Sequence, residues 1–221
     1  MSAYAESRGK RLFTHQHLES AFAARRLGDS VQEGARRGGA EIATNTRVTG
    51  FDVERGRITA VETDTGRVEA EIVVNAGGMF AKELGALAGV NVPIVPMAHE
   101  YLVTKPSGLP LDMPTMRDPS LLVYFRPESG GLVMGGYERH PAPWGLDGIP
   151  EDFNGQLLPE DWERFEELMT NAVFRVPELE DAEVVRLVNG PEAFTPDGEF
   201  VVKSQDANHP IGSAVNRHVL A

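Results

Sequence analysis

The chain has 221 residues, 41% of them hydrophobic, with 21 Lys and Arg against 33 Asp and Glu and a formal charge of −12. Such a composition can bury a core, as one domain of ordinary size or as a piece of a larger one, and the acidic balance argues against nucleic acid and anionic membrane as main partners. The absence of cysteine excludes disulfides, thiolate catalysis and cysteine-held metal sites, and no run of about 18 apolar residues suggests a transmembrane helix.

Residues 1–30 carry little pattern. No basic flank followed by an apolar core stands there, so no secretory signal is read and a cytoplasmic location is the expectation. Leu18, Ala21 and Phe22 could share a helical face, interrupted by Arg25 and Arg26. His15 and His17 are spaced like a metal pair within a strand, but a closed site needs three or four ligands and no third stands near, so no metal is expected.

Ser30-Val31-Gln32-Glu33 fits a capping box that opens a short helix, which Gly38-Gly39 stops. A short strand at residues 40–42 follows. Residues 47–54, 58–63 and 68–74 are β-rich runs separated by Arg55-Gly56 and Asp64-Thr65-Gly66, which predicts a three-strand antiparallel meander. Its last strand feeds into Asn75-Ala76-Gly77-Gly78, after which Phe80, Leu84, Leu87 and Ala88 fall at helical spacing. A strand, a tight turn and a helix are predicted. Glycine in such a turn lets backbone approach a ligand, and the N–H groups opening a helix favour an anion. A plain strand-to-helix connection has the same pattern.

From residue 91 prolines punctuate short β runs at residues 99–104, 121–126 and 131–137, the texture of a mostly antiparallel sheet. Residues 141–158 form a loop-rich excursion. Pro159-Glu160-Asp161 opens a long helix with Trp162, Phe165, Leu168 or Met169, and Ala172 on one apolar face, and Pro177 ends it. A strand at residues 183–188, a turn at Asn189-Gly190-Pro191, a second turn at Thr195-Pro196-Asp197-Gly198 and a strand at residues 199–202 complete the reading. Residues 203–221 are polar and irregular.

Several segments in this order resemble the FAD-dependent oxidoreductases of the D-amino-acid oxidase superfamily, with the closest look to the dimethylglycine and sarcosine dehydrogenase branch. They are Gly34-Ala35-Arg36-Arg37-Gly38-Gly39-Ala40-Glu41-Ile42, Thr46-Arg47-Val48-Thr49-Gly50, Glu71-Ile72-Val73-Val74-Asn75-Ala76-Gly77-Gly78-Met79-Phe80-Ala81, Val95-Pro96-Met97-Ala98-His99-Glu100-Tyr101-Leu102-Val103-Thr104, Gly135-Gly136-Tyr137-Glu138 and the stretch from Asn189 to Gly198. The resemblance covers about residues 31–202. It implies a mixed α/β fold. A partial Rossmann-like FAD domain with its β-meander would span residues 1–98 and resume at 190–202. An antiparallel-sheet substrate domain would span 99–189, and residues 203–221 match nothing in the family.

The same resemblance implies FAD as cofactor and hydride transfer to that flavin from a small N-methylated amino acid, dimethylglycine- or sarcosine-like, with a further electron acceptor that the resemblance does not identify. Cofactor contacts would come from the backbone at Val48 and from Asn75, Ala76, Gly77, Gly78 and Phe80, where Phe80 replaces a frequent tryptophan. His99, Tyr101 and Tyr137 would face the amine as catalytic residues, with Arg117, Arg126 or Arg186 fixing a substrate carboxylate. His99 and Tyr101, two apart, share a strand face, a placement that an ordinary half-buried sheet surface shares.

The family's Gly-x-Gly-x-x-Gly turn is nowhere in these 221 residues, and neither is its late glycine-rich segment. The chain therefore reads as an internal fragment that holds FAD poorly unless a neighbouring chain supplies those segments, with residues 72–74 left as an exposed apolar edge. The alternative is a non-catalytic remnant or interaction module.

Overall fold

The computed structural model describes residues 2–7, 10–15, 22–110 and 112–198. The fold is mixed α/β with largely antiparallel sheets, and the chain divides into two compact units. The first comprises Met1–Pro96, Gly145–Gly155 and Ala193–Ala221; the second comprises Met97–Trp144 and Gln156–Glu192.

The first unit holds two sheets. Strands β1 (Ser2–Ser7) and β2 (Lys10–His15) form an antiparallel pair; helix α1 (Phe22–Arg37) then leads to β3 (Ala40–Thr44), which lies parallel to β2. Helix α1 overturns the capping box expected at Ser30: Ser30 lies inside the helix, which begins at Phe22. Its end is where the glycine pair places it. Gly38 N donates to Gly34 O at 3.0 Å, and Gly39 takes a left-handed φ of 85° that closes the turn. His17, Leu18 and Ala21 lie outside the described residues.

Strands β4 (Val48–Glu54), β5 (Arg57–Thr63) and β6 (Gly66–Glu69) form the expected meander. Arg55 and Gly56 carry positive φ angles of 52° and 79°, as a two-residue hairpin turn whose twist matches the strands requires. The third run, however, is not one strand. Ala70 is buried with its N–H bonded to Thr59 O, and after this break β7 (Ile72–Asn75) joins the other sheet. There it pairs antiparallel with β1, Tyr4 opposite Val74, so the exposed edge expected at residues 72–74 has a partner and its residues are half-buried.

A 3-10 turn (Gly78–Phe80) and α2 (Ala81–Leu87) follow β7. Leu84 is the buried residue of α2 that joins Val48, Val61 and Ala70 in one cluster. Leu87, expected on the same face, is 46% exposed; the helix packs through Ala81, Leu84 and Gly85 instead.

The second unit is built on one sheet. Its strands are β8 (Val95–Thr104), β9 (Met116–Asp118), β10 (Val123–Glu128), β11 (Gly131–Gly136), β12 (Ala142–Pro143) and β13 (Val184–Phe194), in the order β12-β8-β11-β10-β9 with β13 also against β8. Burial along β8 alternates without a break. Its inward residue Leu102 packs with Val123, Phe125, Leu132 and Met134 against Phe165, Leu168 and Ala172 of α3 (Trp162–Arg175). Asp161 caps α3 by accepting from Arg164 N at 3.1 Å. Trp162, placed by its spacing on the apolar face, is 48% exposed and donates its indole N–H to Glu160.

The turn expected at Asn189-Gly190-Pro191 is instead part of β13. Asn189 O accepts from Leu158 N at 2.8 Å and its side-chain Nδ2 donates to Pro159 O at 2.7 Å, so outside partners hold the segment extended. Thr195 to Gly198 does form a turn, closed by Gly198 N to Thr195 O. The strand expected at residues 199–202 and the tail at 203–221 lie outside the described residues.

Leu84→Ala is expected to cost about 2–5 kcal/mol, the range for emptying a fully buried leucine site, measured as a lowered urea midpoint with an unchanged slope.

Candidate substrate wall and cofactor-contacting turn

The face of the second unit's sheet opposite its core carries the polar tips. Because residues directly opposite each other in an antiparallel sheet share a face, the registers Arg117 with Tyr124, Tyr124 with Gly135, and Gly135 with Tyr101 form one row across four strands. The absence of a side chain at Gly135 makes this row possible. A Cβ there would lie 2.5 Å from the Tyr124 hydroxyl and 2.9 Å from Tyr101 Cβ, so the Tyr124 phenol occupies that space, directed at Tyr101. Gly136, one residue on and on the core face, is required for a different reason: a Cβ would run into the Leu122 carbonyl and into Leu168.

The next row along β8 holds His99 and Tyr137. Their rings are stacked at 4.6 Å with a 31° tilt, Arg117 lies 5.9 Å over the Tyr137 ring, and His99 Nδ1 is 4.0 Å from Glu192 Oε2 of β13. His99, Tyr101 and Tyr137, expected on one surface, are therefore brought together. Among the three arginines, Arg117 and Arg126 belong to this surface. Arg126 pairs with Glu128 at 3.3 Å, one register step from the Tyr124 row. Arg186 is exposed and six residues up β13 from Glu192, roughly 20 Å along a strand.

Sequence reasoning missed Tyr124 and Glu192. The signal for Tyr124 was present: Val123-Tyr124-Phe125-Arg126 alternates, and with Val123 and Phe125 inward, Tyr124 and Arg126 face the wall. Glu192 was hidden by the turn expected at Asn189-Gly190-Pro191.

Burial pushes the Tyr124 phenol up to about 12, with Tyr101 and Glu192 adding to the rise and Arg126 opposing it. The wall thus presents a neutral phenol donor, an imidazole stacked on an aromatic ring, and guanidinium groups at its margin. Such a surface can hold a small zwitterion: aromatic faces attract a methylated ammonium, and an arginine fork matches a carboxylate.

In the first unit, Asn75 is occupied with its own turn. Its Oδ1 accepts from Gly77 N at 3.1 Å and its Nδ2 donates to Ala81 O at 2.8 Å. Gly77 is packed; a Cβ would sit 2.7 Å from Leu84 Cδ1. Gly78 has a φ of 56° with open space where a Cβ would point, and Ala76 is exposed, so backbone is what this turn offers. Val48 is likewise buried by its side chain against Leu84, and it pairs with Thr63 in the β4–β5 ladder. Phe80 is half-buried at the start of α2. These residues offer a nucleotide backbone and apolar surface without a charged donor, and the glycine-rich pyrophosphate turn is not among the 221 residues.

The profile of the family described as "DAO: FAD dependent oxidoreductase" matches residues 12–219. The chain is 37% identical over 177 residues to the mouse mitochondrial pyruvate dehydrogenase phosphatase regulatory subunit, covering 78% of this chain and 20% of that protein. It is 38% identical over 164 residues to mouse mitochondrial sarcosine dehydrogenase, covering 72% and 18%, and 33% identical over 177 residues to mouse mitochondrial dimethylglycine dehydrogenase, covering 76% and 20%. The chain thus spans about a fifth of the length of these curated relatives. Among solved structures, L-proline dehydrogenase from P. horikoshii superposes with a TM-score of 0.69 at 24% identity, covering 87% of this chain and 50% of that one.

The raised Tyr124 pKa has a definite sign. The fold favours the neutral phenol, so its contribution to stability is complete below the ordinary value of 10.0 and is lost as pH rises through about 12. Tyr124→Phe is expected to flatten the alkaline fall in denaturation midpoint across that window. Gly135→Ala, which displaces the phenol, is expected to bring one tyrosinate absorbance transition back toward 10.0; an unchanged titration would show that Tyr124 does not lie over Gly135.

Proposed function

Because the chain belongs to the DAO family of FAD-dependent oxidoreductases, we propose that it supplies the amine-facing wall and one flavin-contacting turn of an enzyme that oxidises a small N-methylated amino acid, sarcosine- or dimethylglycine-like. The observation that carries this reading is the wall itself, with His99 stacked on Tyr137 beside the row Arg117, Tyr124, Gly135, Tyr101. The identity to sarcosine and dimethylglycine dehydrogenases supports the substrate class.

FAD held there would supply a hydride acceptor for the carbon beside the substrate nitrogen, leaving an imine or iminium that water would hydrolyse. The chain's own residues prepare the substrate. Hydride can leave only when the nitrogen lone pair is available, so the ammonium proton must first be taken, and His99 is the base we assign to take it. Tyr101 and Tyr137 orient the amine. Arg117, which reaches over Tyr137 at 5.9 Å, is the better placed of the arginines for the carboxylate. In the first unit, the backbone of Val48 and of the Asn75 to Gly78 turn, with Phe80, would contact the cofactor.

A second reading is a non-catalytic interaction module, favoured by the 37% identity to a phosphatase regulatory subunit. Flavin retention and turnover separate the two. The 221-residue polypeptide alone is expected to lose flavin absorbance on gel filtration, because its contacts are backbone from one side. When it is completed by a glycine-rich pyrophosphate turn and the late glycine-rich segment, flavin should be retained and sarcosine or dimethylglycine turned over. Flavin retained by the short chain would overturn the first expectation, and a completed, flavin-loaded protein inert toward both amines would favour the module.

In the completed protein, His99→Asn is expected to lower kcat/KM by about 10²-fold or more, the usual scale for a lost general base. Arg117→Lys is expected to raise KM with little change in kcat, the pattern of lost ground-state binding. Steady-state kinetics on both amines checks each.

A further inference from the structure

Behind the wall, on the core face of the same sheet, lies a charge cluster that the proposed chemistry does not use. Glu100 and Glu138 are buried, their side chains 1% and 4% exposed, and Arg164 of α3, 14% exposed, contacts both. Arg164 Nη2 is 2.9 Å from Glu100 Oε2, and Arg164 Nε is 3.2 Å from Glu138 Oε1. These contacts are ionic, and not aligned as hydrogen bonds. The other Glu100 oxygen accepts from Asp161 N at 2.9 Å, which ties the first turn of α3 to β8.

Two carboxylates sharing one guanidinium in a nearly dry site are costly, and an apolar replacement of such a cluster is often neutral or stabilising. Its position offers a reason for it. Glu100 follows His99 and Glu138 follows Tyr137, so alternation sends each carboxylate inward directly behind a wall residue. The β8–β11 ladder ends at the pair Gly135 and Tyr101. Arg164 reaches both chains at that place.

We propose that Arg164 is a positioning residue: by bridging Glu100 and Glu138 behind the end of the ladder, it holds His99 and Tyr137 in their stacked arrangement. The inference rests on the proposed role of His99 and Tyr137 only for its effect on turnover; its geometric content stands without it.

The test uses three variants of the full chain: Arg164→Met, Arg164→Lys, and Arg164→Met combined with Glu100→Gln and Glu138→Gln. The triple variant removes the buried charge while Gln at position 100 still accepts from Asp161 N. The first readout is the His99 ring proton shifts, assigned by their disappearance in His99→Gln and moved upfield by the neighbouring Tyr137 ring. The triple variant is expected to regain the thermal midpoint lost in Arg164→Met, yet to show His99 signals displaced toward those of an unstacked histidine. Arg164→Lys, which keeps the charge but not the two-sided reach, should fall between. In the completed, flavin-loaded protein the triple variant should lose about 10–10²-fold in kcat, as expected when a reacting group is misplaced, with KM little changed.

Parent-like His99 shifts in a folded triple variant would overturn the inference, as would failure of all three variants to fold, which would assign Arg164 to stability alone. Displaced shifts with undiminished turnover would support the positioning and count against the catalytic assignment of His99 and Tyr137.

Discussion

The unbroken two-residue alternation of β8 is the constraint from which the second unit follows. Pro96, Ala98, Glu100, Leu102 and Thr104 point inward, and Val95, Met97, His99, Tyr101 and Val103 stand half-buried on the other face. Because burying Leu102 with the α3 face fixes which way the strand is turned, a slip of one residue would put His99 and Tyr101 in the core and Leu102 in water. The wall is therefore specified by the core behind it. The paired glycines of β11 serve both faces at one point. Gly135 makes room for the Tyr124 phenol on the wall side, and Gly136 makes room for the Leu122 carbonyl on the core side. Leu122 itself adopts a φ of 61°, an unusual conformation for a bulky residue. It turns its carbonyl toward Gly136 and also accepts from Tyr137 N, so this local strain helps direct Tyr137.

In the first unit the comparable role falls to Leu84. It occupies the space that a side chain at Gly77 would need, and it shares a cluster with Val48, Val61 and Ala70. The two stretches proposed to contact flavin, the Val48 strand and the Asn75 turn, are thus held by one apolar side chain from α2. Asn75 completes the arrangement by bonding forward to Gly77 N and Ala81 O. None of these side chains needs to touch a ligand for the turn to keep its shape.

Much of this was legible in residue patterns. The meander, its two hairpin turns, the long helix from Trp162, the strands carrying His99 and Tyr124 and the strand that ends just before Tyr137 all follow from periodicity and turn chemistry. Where the reading failed, a tertiary partner overrode a local signal. Ser30 and Glu33 have the spacing of a cap, yet α1 continues back to Phe22, because a capping box is also compatible with a helix interior. Asn189-Gly190-Pro191 has turn composition, but Leu158 and Pro159 supply the hydrogen-bond partners that keep it straight. The break between β6 and β7 occurs within an apolar run whose alternation barely changes, so only the identity of the neighbouring strands reveals it. The row of Arg117, Tyr124, Gly135 and Tyr101 depends on register across four strands, which no single segment contains.

The two proposed half-sites also use different chemistry, and this bears on where specificity resides. Around Val48 and Asn75 to Gly78 the side chains are spent on packing and turn formation, so what is offered to a ligand is backbone. Backbone can match the shape of a flat, invariant cofactor but cannot discriminate among small amines. On the wall the reverse holds: its half-buried groups are a neutral phenol, an imidazole, two further tyrosines and Arg126, with Arg117 exposed beside them, each differing in reach and charge. A substrate that differs from another by one methyl group on nitrogen changes its fit against aromatic rings and its count of N–H donors, which are the properties this wall can sense. On the proposed reading, selectivity among methylated amino acids would be set by residues of β8, β10 and β11, among them Tyr124, whose phenol burial keeps neutral up to about 12.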